Sequence, residues 1–244
     1  MNRNKINYGV LVTGANSDIG FEVCKKYLDS GHEVIGLYHK YSNYLDELIL
    51  KYGENIKIYS VNLSHSDQLS EFISNHKSSL SKVNVFIHLA AMRKCVEYDN
   101  LSAKDLIDHF ATNVVSSVML TQFLSRVMRK NSWGRFVIGS SIGVKFGGSS
   151  VTYAYSLSKH ASEFFPNAYR EWAKDNVFIN AIRIGVTNTA PVKALGKKKN
   201  KSRADMIPMK RFADPDEIAN EIYHLGSINN TFITGQVITV SGGE

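Results

Sequence analysis

Short apolar segments alternate with amphipathic segments along the whole chain, and this alternation limits the folds open to it. The apolar segments are rich in β-branched residues and predict strands at 6–13, 33–39, 56–61, 83–89, 135–139, 177–184 and 236–240. The amphipathic segments predict helices at 21–31, 42–52, 66–78, 102–130, 153–174 and 214–226. Because strand–helix–strand units form parallel crossovers, the sequence predicts an α/β fold with a doubly wound, seven-stranded parallel sheet flanked by helices.

The chain is predicted to form a single domain, 1–244, because no Pro/Ser-rich linker or internal repeat interrupts the pattern. Hydrophobic residues make up 43% of it, which is enough for a sizeable core. Cys24 and Cys95 are far apart in the sequence and indicate neither a disulfide framework nor a metal cluster. The first apolar run is too short for a signal peptide, and no run reaches membrane-spanning length. We therefore expect a cytoplasmic protein without a metal or a membrane partner.

The formal charge is +7, and six of the basic residues fall between Lys193 and Arg203. Such a local cluster fits an anionic small molecule or an acidic partner as well as it fits nucleic acid. It lacks the interleaved aromatic residues of a base-stacking surface, so no nucleic-acid partner is predicted. The same lysines could also simply solubilise a surface loop, and the sequence leaves that alternative open.

A glycine-containing turn, TGANSDIG, follows the first predicted strand. Gly14 and Gly20 would let backbone N–H groups and the N-terminus of the next helix approach a pyrophosphate. Glycines in such a turn can also serve packing alone. Their position directly after the first strand favours dinucleotide binding.

Tyr155 and Lys159 are four residues apart in a predicted helix, with Ser140 and Ser141 upstream. The spacing puts the phenol and the ammonium on one helix face, where the ammonium would stabilise the phenolate and lower the tyrosine pKa. With a serine hydroxyl nearby, the group is suited to acid/base chemistry on a ketone or an alcohol. An amphipathic helix with a surface lysine would show the same spacing.

In chain order, these segments resemble the short-chain dehydrogenase/reductase family over roughly residues 6–243. TGANSDIG resembles the family's cofactor loop, HLAA the segment after its fourth strand, and YSLSK its Tyr-x-x-x-Lys motif. Within HLAA, His88 replaces an asparagine of the family, and we expect it to be a hydrogen-bonded strand-end residue and not a metal ligand. NAIRIGVTNT and the C-terminal region are also similar. The resemblance, which extends to 3-oxoacyl-acyl-carrier-protein reductases, implies a Rossmann fold and an NAD(P)-dependent oxidoreductase acting on CH–OH groups.

The resemblance also implies catalytic roles. Tyr155 would be the general acid/base, and Lys159 would lower its pKa and hold the nicotinamide ribose. Asn113 would bend its helix and anchor a water molecule that links Lys159 to solvent. Counting along the strand selects Ser141 as the catalytic serine, whereas counting back from the next turn selects Ser140; we favour Ser141 because loops accept insertions more readily than strands.

The cofactor contacts implied by the resemblance come from the glycine turn and from the ends of several strands. They are Gly14, Ser17, Ile19, Gly20, His39, Lys40, Asn62, Leu63, Ala90, Ala91, Tyr155, Lys159, Thr187 and Thr189. His39 and Lys40 follow the second strand, and no acid occurs until Asp46, so NADP(H) is favoured over NAD(H). Against this, Ser17 stands where many NADP-using relatives carry a basic residue. Asp18 replaces a usual glycine, and we expect it to cap the following helix.

Residues 190–207 occupy the place of the family's mobile substrate lid. Pro166 is expected to kink the helix that carries Tyr155. The resemblance implies a homodimer or homotetramer and a small, anionic carbonyl or alcohol substrate. Candidate substrates are a 3-oxoacyl thioester and a nucleotide-sugar or polysaccharide-pathway intermediate. A non-catalytic, cofactor-sensing regulator or scaffold on the same fold is the alternative.

Overall fold

The computed structural model describes residues 7–244 and contains one seven-stranded, all-parallel sheet. Its strands are β1 Gly9–Thr13, β2 Glu33–Tyr38, β3 Ile56–Ser60, β4 Val83–His88, β5 Gly134–Ser141, β6 Val177–Ile184 and β7 Val237–Val240. Their order in the sheet is β3-β2-β1-β4-β5-β6-β7. The predicted fold class is confirmed. Ile6, the first residue of the first predicted strand, lies outside the described residues.

Helices cover both faces of the sheet. They are α1 Asp18–Asp29, α2 Asn43–Tyr52, α3 Ser66–Asn75, α4 Lys77–Leu80, α5 Ala103–Phe110, α6 Ser116–Lys130, α7 Tyr153–Ala161, α8 Tyr169–Trp172, α9 Ala190–Lys193, α10 Lys197–Met206 and α11 Pro215–Gly226. Alternate residues of each central strand point to opposite faces, which produces two apolar clusters. Val10 and Val12 of β1 pack in one of them, and Leu11 packs in the other. Because both faces are covered, most residues of the central strands are apolar.

Strand order reverses between β1 and β4, since the chain moves outward to β3 before it returns. In doubly wound sheets the crevice at the carboxyl ends of such strands is where ligands bind. Thr13 and His88 are the last residues of the two strands and are paired in the register.

The long helix predicted at 102–130 is confirmed, with one irregularity in its middle. Ser102 and Asp105 form a capping box at its start. Residues Ala111–Val115 form a π-helical turn between α5 and α6, and Asn113 lies within it. Such π turns are frequent at functional sites.

The prediction of a single helix at 153–174 is wrong. α7 ends at Ala161, and the chain runs in non-helical conformation to the short α8. Pro166 has no N–H to donate and disfavours helical backbone before it, so the helix breaks instead of kinking. Trp172 is buried in the core, whereas the side chain of Phe164 is exposed.

The predicted lid, residues 190–207, is mostly helical. α9 and α10 occupy it, separated by Gly196 at φ +88°. The lysine run therefore lies on α10, whose residues are exposed or half-buried.

Candidate active site

A cavity of about 680 Å³ lies at the carboxyl ends of β1, β4, β5 and β6. The start of α1, the helix α7 and the lid helices complete its walls. Half of the residues predicted to act in catalysis or cofactor binding line it: Ser17, Ile19, Ala91, Ser141, Tyr155, Lys159, Thr187 and Thr189. The others, Gly14, Gly20, His39, Lys40, Asn62, Leu63, Ala90 and Asn113, lie outside its wall.

The glycine turn joins β1 to α1, and its two predicted glycines are required by close backbone packing. Gly14 has φ +74°, and a Cβ there would lie 2.8 Å from the Ala90 nitrogen. A Cβ on Gly20 would lie 2.1 Å from the Gly14 carbonyl oxygen. This packing sets the N-terminus of α1 against the end of β4, with its first-turn N–H groups beside the cavity.

Ser17, not Asp18, caps α1. The Ser17 hydroxyl accepts a hydrogen bond from the Gly20 N–H at 3.0 Å, and Asp18 is the first helical residue. The Asp18 carboxylate instead accepts hydrogen bonds from the Tyr44 hydroxyl at 3.0 Å and the Ala190 N–H at 3.1 Å. It therefore connects the glycine turn to the first residue of the lid, which the sequence does not indicate.

Tyr155 lies in the first turn of α7, half-buried in the cavity wall. Burial raises the pKa of its phenol, while a hydrogen bond with Ser141 and the charge of Arg93 act in the opposite direction. Burial is the largest of these effects, so the phenol pKa is raised overall, and its lowering by Lys159 stays a prediction. The Lys159 Nζ lies 5.9 Å from the centre of the phenol ring.

Lys159 is almost completely buried, with 2% of its surface exposed. Its Nζ donates a hydrogen bond to the Gly139 carbonyl oxygen at 2.6 Å, and burial lowers its pKa to about 8. Holding a cation in such a place costs folding free energy, because burial disfavours the charged form. A lysine retained there indicates a functional site more than a structural one.

Ser140 and Ser141 are adjacent at the end of β5, so their side chains lie on opposite faces of the sheet. The Ser140 hydroxyl donates to the Glu163 carboxylate at 2.6 Å, whereas the Ser141 hydroxyl accepts from the Gly143 N–H at 3.1 Å and meets Tyr155. Ser141 is thus the serine adjacent to the phenol.

The Glu163 carboxylate forms hydrogen bonds to two neighbouring strands that the sequence does not predict. This carboxylate, 6% exposed, accepts hydrogen bonds from the Arg183 guanidinium at 2.8 and 2.6 Å as well as from Ser140. Ser140 and Arg183 are register partners on β5 and β6. Because the chain leaves helical conformation after Ala161, Glu163 can fasten the end of α7 to both strands.

Asn113 is fully buried and has all its amide contacts inside the protein. Its oxygen accepts from the Met92 N–H at 2.7 Å, and its nitrogen donates to the Met92 carbonyl at 3.0 Å and to the Ser158 hydroxyl at 2.8 Å. The Ser158 hydroxyl in turn donates to the Tyr155 carbonyl at 2.7 Å. Asn113 thus connects the π turn to the backbone of the catalytic helix.

The strand ends on the other side of β1 carry the remaining predicted contacts. His39 and Lys40 are exposed just after β2, and their side chains make no hydrogen bond or ion pair within residues 7–244. Asn62 accepts hydrogen bonds from Ser64 in a local turn, at 3.1 and 2.8 Å. Leu63 packs in the core.

Thr187 and Thr189 lie in the loop after β6 and line the cavity. The Thr187 hydroxyl donates to the Gly185 carbonyl oxygen at 3.0 Å, and Thr189 precedes α9 as its N-cap residue. Both residues therefore present backbone or side-chain groups where a dinucleotide would pass from the glycine turn toward Tyr155. The residues around this cavity fit such a cofactor.

His88, at the end of β4, is only half satisfied, which corrects the expectation of a fully hydrogen-bonded strand-end residue. Its Nδ1 contacts the Thr13 hydroxyl at 2.9 Å, while Nε2 is buried without a hydrogen-bond partner among residues 7–244. Burial and the charge of Lys159 lower its pKa to about 3. In the same part of the chain, no group of three or more His, Cys, Asp or Glu is arranged to hold a metal ion.

This fold, with a tyrosine, a lysine and a serine at the carboxyl edge of the sheet, defines the class of Rossmann-fold oxidoreductases. The family model described as enoyl-(acyl carrier protein) reductase matches residues 14–244. The chain belongs to the short-chain dehydrogenase/reductase family, as its motifs predicted.

The chain is also similar to individual proteins in sequence and, for solved structures, in fold. The chain is 28% identical over 237 residues to the 3-oxoacyl-[acyl-carrier-protein] reductase of Aquifex aeolicus, covering 96% of this chain and 95% of that one. Among solved structures, a 3-oxoacyl (acyl-carrier-protein) reductase from Agrobacterium tumefaciens with NADP bound matches with TM-score 0.88 and 24% identity, over 97% and 94% of the two chains. ElxO with NADP bound matches with TM-score 0.87 and 24% identity, over 98% of each.

Across the described part of the chain, every helix is too short or too polar to cross a membrane.

Proposed function

We propose that this protein is an NADP(H)-dependent oxidoreductase that interconverts a carbonyl and an alcohol on a small anionic metabolite. The observation that carries the proposal is the convergence of Tyr155, Ser141 and the buried Lys159 on one cavity beside the glycine turn. A non-catalytic regulator or scaffold on the same fold would have no use for a buried lysine that lowers the stability of the folded state.

Each polar group has a role in this mechanism. Ser141 hydrogen-bonds the substrate oxygen and holds it beside the phenol. Tyr155 donates its proton to that oxygen during reduction and removes a proton from the alcohol in the reverse direction. The nicotinamide, when bound, supplies or accepts the hydride. Lys159, whose pKa of about 8 still leaves it mostly protonated at neutral pH, holds the ribose and stabilises the phenolate.

The preference for NADP(H) rests on His39 and Lys40. They are exposed beyond β2 and unpaired within residues 7–244, so they can bind a ribose 2′-phosphate. The two structural relatives named above, which share the fold, hold NADP. The pyrophosphate would lie against Ser17, Ile19 and Gly20, with the adenosine near Asn62, Leu63, Ala90 and Ala91.

We further propose cytoplasmic location and a homodimer or homotetramer. Ile107, Val115 and Val118 expose apolar side chains along α5, the π turn and α6, which supports a subunit contact there. A 3-oxoacyl thioester and a nucleotide-sugar intermediate are the substrate classes carried from the sequence. The Aquifex aeolicus relative, named for an acyl-carrier-protein substrate, supports the first of these.

The test is a panel of carbonyl and alcohol compounds read by absorbance of the reduced nicotinamide, with NADPH and NADH compared by KM. Tyr155→Phe is expected to lower kcat by about 10²- to 10⁴-fold, because it removes the transferred proton. Tyr153→Phe is the matched control, since Tyr153 lies on the same helix outside the cavity wall. Full activity in Tyr155→Phe would refute the mechanism, and a lower KM for NADH would refute the cofactor preference.

A further inference from the structure

Arg93 lies over the ring of the proposed acid/base and has no hydrogen-bond or ion-pair partner among residues 7–244. It follows β4, lines the cavity together with Tyr155 and Ser141, and its guanidinium carbon lies 6.0 Å from the centre of the Tyr155 ring. The guanidinium is also close enough to Tyr155 to act against the rise in the phenol pKa.

The two other cations in the cavity wall, Lys159 and Arg203, each have a partner. Lys159 donates to the Gly139 carbonyl oxygen, and Lys94 forms an ion pair with Asp105 at 2.6 Å. Arg203 is the one basic residue of the 193–203 cluster in the cavity wall; its Nη2 is paired with Glu244, which balances its charge, while its Nη1 makes no hydrogen bond among residues 7–244. The lysines of α10 lie outside that wall. Attraction of an anion by the lid lysines is therefore long-range, whereas Arg93 can make a direct contact.

An unpaired guanidinium at a cavity wall is suited to bidentate binding of a carboxylate. Tyr155 and Arg93 would each contact the substrate at hydrogen-bond distance, about 3 Å. The carbonyl oxygen and the anionic group must then lie close together on one small molecule. A 3-oxoacyl thioester or a nucleotide sugar carries its phosphates many bonds from the reacting carbon and does not meet this requirement.

We propose that Arg93 determines specificity by binding the carboxylate of an oxo acid whose carbonyl is α or β to that carboxylate. This inference rests on the proposed carbonyl reduction of a small anionic metabolite, and it replaces the two substrate classes carried from the sequence with an oxo acid. The cavity wall also contains Phe146, Val192 and Met206, which provide apolar surface for the side chain of the acid. The corresponding product is an α- or β-hydroxy acid.

The experiment compares α- and β-oxo acids with their methyl esters as substrates for the full-length protein. The wild type should prefer the acids. Arg93→Gln should raise KM for the acids by about 10- to 100-fold, as expected for loss of a charged hydrogen-bonded pair, and leave KM for the esters and NADPH unchanged. Arg93→Lys should restore part of the loss. Arg126→Gln, which removes an exposed arginine outside the cavity wall, is the matched control and should change neither value.

The outcomes separate the two proposals. If esters and acids are reduced equally and Arg93→Gln alters neither, the carboxylate site is refuted while carbonyl reduction stands. If the wild type prefers thioesters or nucleotide sugars and Arg93→Gln has no effect on them, the inference is likewise overturned. If no carbonyl compound is turned over, the proposed function itself fails. An alkaline shift of the pH profile for ester reduction in Arg93→Gln would independently place the guanidinium beside the phenol.

Discussion

Replacing Lys159 with methionine should abolish activity and yet make the protein more stable. The lysine is 2% exposed, and its Nζ has one hydrogen bond, to the Gly139 carbonyl oxygen. Methionine has a similar shape and no charge to desolvate. The variant therefore separates two effects of the ammonium: its contribution to catalysis and the loss of folding stability caused by its burial.

The expected gain follows from the lysine pKa. Burial lowers it from 10.5 to about 8, and at about 1.4 kcal/mol for each pH unit this difference corresponds to roughly 3 kcal/mol. Loss of the hydrogen bond to Gly139 offsets about 1 kcal/mol. Lys159→Met should then raise the free energy of unfolding by about 2 kcal/mol at neutral pH. For a chain of this size, that is a rise in Tm of about 4–8 °C.

The pH dependence distinguishes this cause from better packing. Below about pH 8 both the folded and the unfolded wild type hold the proton, so the full penalty is present. Between about pH 8 and pH 10.5 the unfolded chain holds the proton more tightly, so wild-type stability rises with pH. The advantage of the methionine variant should accordingly shrink across this window.

Urea unfolding of both proteins at about pH 7 and about pH 10 measures the effect. Lys174→Met is the control, because Lys174 is 71% exposed in a surface pair with Glu171 and should change stability by under about 0.5 kcal/mol at either pH. A methionine variant less stable than the wild type at neutral pH would refute the reasoning. So would an advantage that is the same at both pH values.

Two further predictions concern buried groups near the site. Glu163→Gln should lose about 2–3 kcal/mol of stability in urea unfolding, because it leaves the Arg183 guanidinium, 26% exposed, without its carboxylate. The control Glu171→Gln, on the surface, should lose under about 0.5 kcal/mol. An equal loss in both variants would contradict a stabilising role of the Glu163–Arg183 ion pair. His88 has a folded-state pKa of about 3, below its ordinary value of 6.5. Below about pH 6.5 the unfolded chain therefore binds a proton at His88 that the folded chain does not. The free energy of unfolding should then fall by up to about 1.4 kcal/mol for each pH unit. His88→Asn should show a shallower acid slope, and an unchanged slope would assign the loss to other groups.

The central strands could be predicted from the sequence because their apolar, β-branched runs are buried on both faces. β6 at Val177–Ile184 agrees with its predicted bounds residue for residue. The prediction of one helix over 153–174 failed because the helical periodicity of the sequence continues past Pro166. Proline disfavours helical backbone in the residues before it, and only this rule would have ended the predicted helix earlier. The lid was predicted as a loop since its lysine run has no apolar face to reveal α10.

Tertiary partners explain the remaining differences. Asp18 looked like a cap because it precedes a helical pattern, but Tyr44 and Ala190 come from distant parts of the chain. His88 was expected to be satisfied because buried polar groups usually are, and its Nε2 lacks a partner within residues 7–244. Neither fact has a local sequence signal.

The two serines show why the site could be predicted only in part. Counting residues gave Ser141 from one flank and Ser140 from the other, and the preference for Ser141 depended only on loops accepting insertions more readily than strands. The pleat of β5 separates them: Ser141 lies beside Tyr155, and the Ser140 hydroxyl donates to the Glu163 carboxylate. Glu163 lies just beyond the end of α7, near the break before Pro166 that was predicted as a kink, and its carboxylate accepts the Ser140 hydroxyl there. A substitution that removes the Glu163 carboxylate should therefore alter activity through the neighbouring serine as well as stability through Arg183.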